Sequence, residues 1–390
     1  MRLAYLYPEH LGRPAARLLQ SAATIRALLR QGARVHLLAG WFAGLDERLA
    51  QLGLGPESGL TLERLPMWQH GPGLPVPFSW HGPYHWAAGS RLATLARQGL
   101  GWALVRHLKL ADYLLDRRRG RGPRIAFEAH ELFSQTAREE GRTARESEAL
   151  RRMEERVFSR ADLLAAISPP LAEVLGKMSG VRSQVAVLPS GVDDAFFAVT
   201  GQARRPELVA YAGGLGPWKG VDLLLRAVAL APRARLEVLG GDPGGEDWRR
   251  LESLAAGLGL GPRLTMRPRA GQDQVRELLG RAAVAVWPGS GAQRIAAEFT
   301  SPLKLFEYLA AGCAVVAPDL PSARAVVADG QQAALFTPDD PAALARIISV
   351  LLENPERAAD LGRQGRELAR AYTWDGRARA LLALLREARP

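Results

Sequence analysis

The chain has 390 residues, 47% of them hydrophobic and 23% charged, with a formal net charge of +11. That length favours two domains with sizeable cores, and the composition is that of an ordinary soluble globular protein. No apolar run reaches the roughly eighteen residues of a spanning helix, and the single cysteine, Cys313, cannot close an internal disulfide, which fits a reducing cytoplasm.

In chain order, "MRLAYLYPEH" lacks the apolar stretch and small-residue cleavage site of a signal peptide, so residues 2–7 read as a first strand. A helix near 14–31 follows, closed by Gly32 as its C′ residue, and then a strand over 34–39. This β-α-β order opens a doubly wound α/β sheet with parallel strands. Further strands are predicted at 59–64, 124–128, 162–167 and 185–188. Residues 65–86 hold five prolines, three tryptophans and three histidines, a proline density that excludes a central strand or a helix interior. One long arginine-bearing helix is predicted over 87–119.

The pattern restarts at 207–220 with a strand, a glycine turn and a helix start. Strands are predicted at 234–241, 263–268, 282–288, 313–318 and 333–338. Two similar α/β domains are therefore expected in tandem, over 1–195 and 196–372, with 196–207 as the linker segment. The last helix, within 373–390, is amphipathic and could pack on either domain.

Ligands of open parallel sheets bind beyond the carboxyl ends of the strands. One such end is "AGGLGPWKG", where Gly213 and Gly214 allow close backbone approach and Lys219 follows within a turn. It has neither GxxxxGK[ST] nor GxGxxG spacing, and by itself a Gly-Gly pair is an ordinary βα turn. A second end leads into "TSPLKLFEYLAAG", with Ser301 as N-cap, Pro302 as first helical residue and Leu303 and Lys304 in the first turn. The free N–H groups there make an anion site. A lysine in that turn opposes the helix dipole, so a bound anion explains Lys304 better than helix stability does. Glu307 lies three residues on; the plainer alternative is a surface i,i+3 ion pair. Lys219 and Lys304 are two of only four lysines in the chain.

"YAGGLGPWKGVDLLLRA", "SPLKLFEYLAAGCAVVAPDLPSARAVV", "AISPPLAEVL" and "VAVLPSGVDDAFF" together resemble the retaining glycosyltransferases of family 4. The resemblance runs from about 124 to 375 and is looser before that. It implies the GT-B fold, two Rossmann-like domains facing a central cleft that closes on its substrates. It implies a sugar moved from a nucleoside-diphosphate sugar to an acceptor hydroxyl of a glycan, lipid or small molecule, with no metal or separate cofactor. Retention would follow from same-face attack, with the leaving phosphate taking the acceptor's proton. The helix start at Ser301–Lys304 would hold the diphosphate, Lys219 would neutralise it and Glu307 would hold the ribose hydroxyls. "IAFEAHELF" resembles the segment that brings a histidine near the transferred sugar, which makes His130 a candidate beside Lys219 and Glu298 for the catalytic set.

The chain departs from the family in three places. Gly214 stands where an arginine usually pairs with the lysine. The family's paired glutamates place the first at Phe299, whereas Glu298 lies one residue earlier. The N-terminal Gly-Gly loop is reduced to "EHLGRP", with Gly12 alone. Two rivals stay open: a nucleotide-sugar epimerase or phosphorylase on the same fold, and a degenerate, non-catalytic binding protein, which Gly214 and Phe299 support. The positive excess is +7 in residues 1–200 (26 basic, 19 acidic) and +4 in 201–390 (25 and 21). It reflects either arginine-rich composition or attraction to nucleotides and acidic membrane surfaces. No zinc spacing or nucleic-acid module is present, so no nucleic-acid partner is expected. The aromatic residues Trp68, Phe78, Trp80, Tyr84 and Trp86 beside a basic helix point to the acceptor or to peripheral membrane contact at the inner face, with a packed loop covering the first domain as the plainer alternative.

Overall fold

A computed structural model of the chain describes residues 1–9, 16–55, 59–67, 82–118, 122–181, 184–199, 204–292 and 294–388. Gly12, Trp68, Phe78 and Trp80 lie outside these described residues. The chain divides into two compact units, Met1–Pro189 with Trp374–Pro390, and Ser190–Thr373.

The first unit is built on seven strands: β1 (Arg2–Tyr7), β2 (Arg34–Gly40), β3 (Leu60–Leu65), β4 (Trp102–Val105), β5 (Arg124–Ala129), β6 (Leu163–Ala166) and β7 (Ala186–Val187). They lie in the order β3-β2-β1-β4-β5-β6-β7, every pairing parallel. The second unit has β8 (Arg205–Ala212), β9 (Arg235–Leu239), β10 (Leu264–Arg267), β11 (Ala282–Val286), β12 (Ala314–Pro318) and β13 (Ala334–Phe336), in the order β10-β9-β8-β11-β12-β13, again all parallel. Both sheets are therefore Rossmann-like, with the order reversing between β1 and β4 and between β8 and β11.

Helices cover both faces of the second sheet, and its central strands β8, β11 and β12 carry apolar residues to both faces over most of their length. Along β8, Val209 and Tyr211 enter one core with Leu236, Val238 and Val284. Leu208, Ala210 and Ala212 enter the other with Ala285 and Ala317. The period-two direction of strand side chains makes this division.

The helix expected over 87–119 is three elements: a helix at Gly82–Arg97, the strand β4, and a helix at Leu108–Arg117. "WALV" is a short apolar run with a single β-branched residue, and periodicity cannot separate such a run from buried helix. Its burial on both faces between β1 and β5 decides for strand. The last helix, Trp374–Glu387, packs on the helix Ala16–Arg30 of the first unit. It is tied there where Trp102 Nε1 donates to the Leu385 carbonyl at 3.0 Å and Arg377 Nε to that of Pro189 at 2.9 Å.

Candidate functional site

In the second unit, the carboxyl ends of β8 and β11 flank the point where strand order reverses, the usual crevice for a ligand. β8 is followed by Gly213 and Gly214, then by a single turn Pro217–Lys219 and the helix Val221–Leu230. Gly213 has φ +147, and a Cβ there would lie 2.1 Å from Lys304 Cε and 2.4 Å from Nζ. Glycine adopts this backbone conformation freely, and its missing Cβ leaves the room that the end of the Lys304 side chain occupies. Gly220 has φ +74, and a Cβ there would overlap the Pro288 carbonyl at 1.9 Å, so the β8 turn and the β11 loop meet backbone to backbone.

Beyond β11 the chain runs through a π-helical turn, Ile295–Phe299, to the helix Leu303–Ala310. Pro302, not Ser301, holds the N-cap position, and no side chain caps this helix. The buried Ser301 hydroxyl instead accepts from Ser190 N at 2.9 Å. The expected capping by Ser301 is thus corrected: its hydroxyl is engaged by a backbone amide 111 residues away in the chain, and the helix begins one residue later than expected. The helix start, with Leu303 and Lys304, keeps amide groups for a ligand.

Lys304 and Glu307 are partly buried rather than surface charges. The Lys304 ammonium sits 4.9 Å from the centre of the Tyr211 ring, a cation–π contact. Tyr211 Oη donates to the Gly214 carbonyl at 2.6 Å. Tyr308, next to Glu307, is fully buried; its hydroxyl accepts from Ala212 N at 2.8 Å and donates to Ala212 O at 3.2 Å, locking helix to strand end.

Burial, and then the charge of Lys304, brings Lys219 down to about 8. Burial brings Lys304 down to about 8 as well, against the pull of Glu307. Burial pushes Glu307 up to about 7, opposed by Lys304 and by a hydrogen bond from Gln272. Two ammonium groups desolvated close together, beside free helix amides, form a site that an anion would relieve.

Gly213, Lys219, Lys304 and Glu307 are thus brought to one strand end, with Gly214 exposed at its rim. Glu298 points its carboxylate at Arg294 on the same turn, 2.8 Å away. Phe299, at the family's acidic position, is fully buried. The second unit's Tyr211, Tyr308 and Gln272 were not singled out in the sequence, although Tyr308 directly follows Glu307.

In the first unit, His130 follows β5 and lines a cavity with Tyr7, Glu9, Arg17, Arg106 and Glu131. Its Nε2 donates to Glu128 Oε1 at 2.5 Å, and its Nδ1 is 3.0 Å from Arg106 Nη2. A guanidinium only donates, so Nδ1 accepts and the ring is neutral. Burial, then the charge of Arg106, accordingly brings His130 down to about 4, against Glu128. Burial alone would raise the Glu128 carboxyl, but Arg377, His130 and Arg106 together hold it well below the usual carboxylate range. Both ring nitrogens of His130 are therefore engaged, which a lone histidine in a sequence cannot reveal. Arg106 directly follows β4, the strand hidden inside the expected long helix; Arg377 comes from the last helix.

The family model described as Glycosyl transferases group 1 matches residues 192–368, and that described as Glycosyltransferase Family 4 matches residues 22–196. The chain belongs to the family 4 glycosyltransferases. This family 4 chain is 31% identical over 249 residues to a D-inositol 3-phosphate glycosyltransferase of Streptomyces avermitilis, covering 58% of this chain and 52% of the relative. It is 32% identical over 243 residues to the protein of the same name from Mycolicibacterium smegmatis, covering 59% and 54%. The chain spans about half the length of the curated relatives it matches. Among solved structures, the sucrose-phosphate synthase of Thermosynechococcus elongatus superposes with TM-score 0.77 at 20% identity, over 99% of this chain and 98% of that one. HepE of Anabaena, solved with UDP and glucose, superposes with TM-score 0.73 at 17% identity, over 99% of both chains. The family 4 chain thus has the GT-B fold of these structures.

Proposed function

We propose that this chain is a retaining, metal-independent glycosyltransferase that moves a sugar from a nucleoside-diphosphate sugar to an acceptor hydroxyl. The observation that carries the reading is the pair Lys219 and Lys304, both held near 8 at the β8–β11 switch point beside an uncapped helix start. When the sugar leaves, negative charge builds on the β-phosphate. Fixed ammonium groups and helix amides stabilise that charge where it develops, which is the work a metal ion does elsewhere. Glu307, four residues past the helix start, accepts the ribose hydroxyls once it is ionised.

The His130 cavity of the first unit takes the acceptor. With its ring nitrogens committed to Glu128 and Arg106, His130 shapes that cavity and does not take the acceptor's proton. The proton goes to the leaving phosphate, in keeping with retention. The protein acts in the cytoplasm, and no helix among the described residues is long and apolar enough to cross a membrane. Trp86, 67% exposed on the helix Gly82–Arg97, favours contact of the first unit with a lipid surface or a lipid-linked acceptor.

The test is calorimetry and turnover with UDP-, GDP- and ADP-sugars, with and without chelator. Glu307→Ala is expected to lower nucleoside-diphosphate affinity about ten- to a hundredfold, since a hydrogen bond to a charged group is worth about 1.5–3 kcal/mol. Unchanged affinity in that variant refutes the donor site, and activity lost to chelator refutes the metal-free reading. The degenerate-protein alternative draws on Gly214 and the buried Phe299. It predicts nucleotide binding with no donor hydrolysis.

A further inference from the structure

Among the described residues other than glycine, Asp339 alone has a positive φ, 59°. This left-handed conformation is one that glycine adopts freely and that an L-residue adopts at a steric cost, aspartate less than most. Asp339 is exposed, so the core does not demand its side chain. Nor does the following helix, Pro341–Glu353, which is capped by Asp340 through Ala342 N at 2.8 Å and Ala343 N at 2.9 Å.

The Asp339 carboxylate does something else. Oδ1 accepts from Ser290 Oγ at 2.9 Å and Oδ2 from Gly291 N at 3.1 Å, residues that lie 49 and 48 positions earlier. Ser290 Oγ in turn accepts from Ala292 N at 3.1 Å. Three consecutive residues just past β11 are therefore held from the carboxyl end of β13. The carboxylate approaches Gly291 closely: a Cβ there would lie 3.2 Å from Oδ2. These residues begin the segment that continues through the π-helical turn with Glu298 to the helix of Lys304 and Glu307. A glycine-bearing loop has the most conformational freedom to lose, so fixing it from outside matters most there.

We propose that Asp339 is a positioning residue for the donor site. Its carboxylate holds the β11 loop so that Glu298 and the phosphate-facing helix start are presented in one arrangement. The left-handed backbone at Asp339 aims the carboxylate at the loop. The proposal rests on the donor-site reading given above.

The test exploits the opposed signs of the two roles of this residue. In Asp339→Gly the backbone is relieved and the clamp is lost. The melting temperature is expected to hold or rise, amide exchange across 289–299 to quicken, and the donor KM to increase about tenfold with a smaller change in kcat. Asp339→Asn keeps the tolerated backbone and one acceptor oxygen, and should fall between wild type and Asp339→Gly. Unchanged exchange in Asp339→Gly overturns the clamp. Faster exchange with an unchanged KM overturns its role in the donor site. A falling melting temperature in step with KM makes the residue a prop of the fold and also overturns the proposal. A wild-type chain with no affinity for UDP, GDP or ADP overturns the donor reading and this role with it, while the exchange comparison still decides whether the clamp exists.

Discussion

Nucleoside-diphosphate affinity should depend steeply on pH, because the site holds its cations near the point of discharge. In the free protein Lys219 and Lys304 each lose their proton near pH 8, and Glu307 gains one near pH 7. A bound diphosphate favours both ammonium forms, so binding raises the two lysine values and takes up protons. At pH 8 each lysine is half charged before binding, and the uptake should be about one proton in total. At pH 9 each lysine is about one-tenth charged, so affinity should fall about tenfold per lysine. The joint loss relative to pH 7 is then about a hundredfold, or about 2.7 kcal/mol. On the acid side Glu307 must be ionised to accept ribose hydroxyls, and at pH 6 its protonation should cost about fivefold relative to pH 7. The measurement is calorimetry from pH 6 to 9 in buffers of different ionisation enthalpy, which counts the protons directly. Lys219→Met should halve the alkaline slope, and Glu307→Gln should flatten the acid limb. An affinity that stays level from pH 7 to pH 9 refutes the reasoning, since two desolvated lysines facing a diphosphate cannot both discharge without consequence.

Gly214 has open space where a Cβ would stand and no left-handed φ, so Gly214→Arg should fold normally and add a cation at the diphosphate. Tighter nucleotide binding by about three- to tenfold is expected, and weaker binding would place the diphosphate elsewhere. His130 takes its proton near 4 in the folded state and near 6.5 when unfolded, so the unfolded chain binds more protons in between. This contribution to stability is full above pH 6.5 and is lost as the pH falls toward 4, by about 2 kcal/mol at pH 5. Urea unfolding at pH 7 and pH 5 should show a difference that shrinks in His130→Gln; an equal difference in the variant would put His130 outside the neutral network. Anionic vesicles should sediment the protein in a salt-sensitive way that Trp86→Ala weakens. No binding at low salt would make a soluble acceptor the better reading.

The repeated alternation of apolar runs and helical patterns, with glycine turns at the strand ends, determined two parallel α/β units and placed Lys219, Lys304 and Glu307 beyond the carboxyl ends of the strands of the second sheet. Those signals are local: a buried parallel strand is apolar on both faces, and a helix start is marked by its first turn. The strand β4 was not legible, because four apolar residues fit either state until their neighbours β1 and β5 bury them. With it went Arg106, and so the neutral state of His130, which depends on a guanidinium 24 residues away in the chain. The sequence likewise could not say which unit the last helix joins. Ala378, Leu381 and Leu385 suit any apolar groove, and it is Trp102 reaching the Leu385 carbonyl and Arg377 reaching Glu128 that tie the helix to the first unit. The depressed lysines and the Asp339 clamp are of the same kind. Residue type and spacing name the groups, but desolvation and charge proximity arise only when distant segments pack, and these set what each group does.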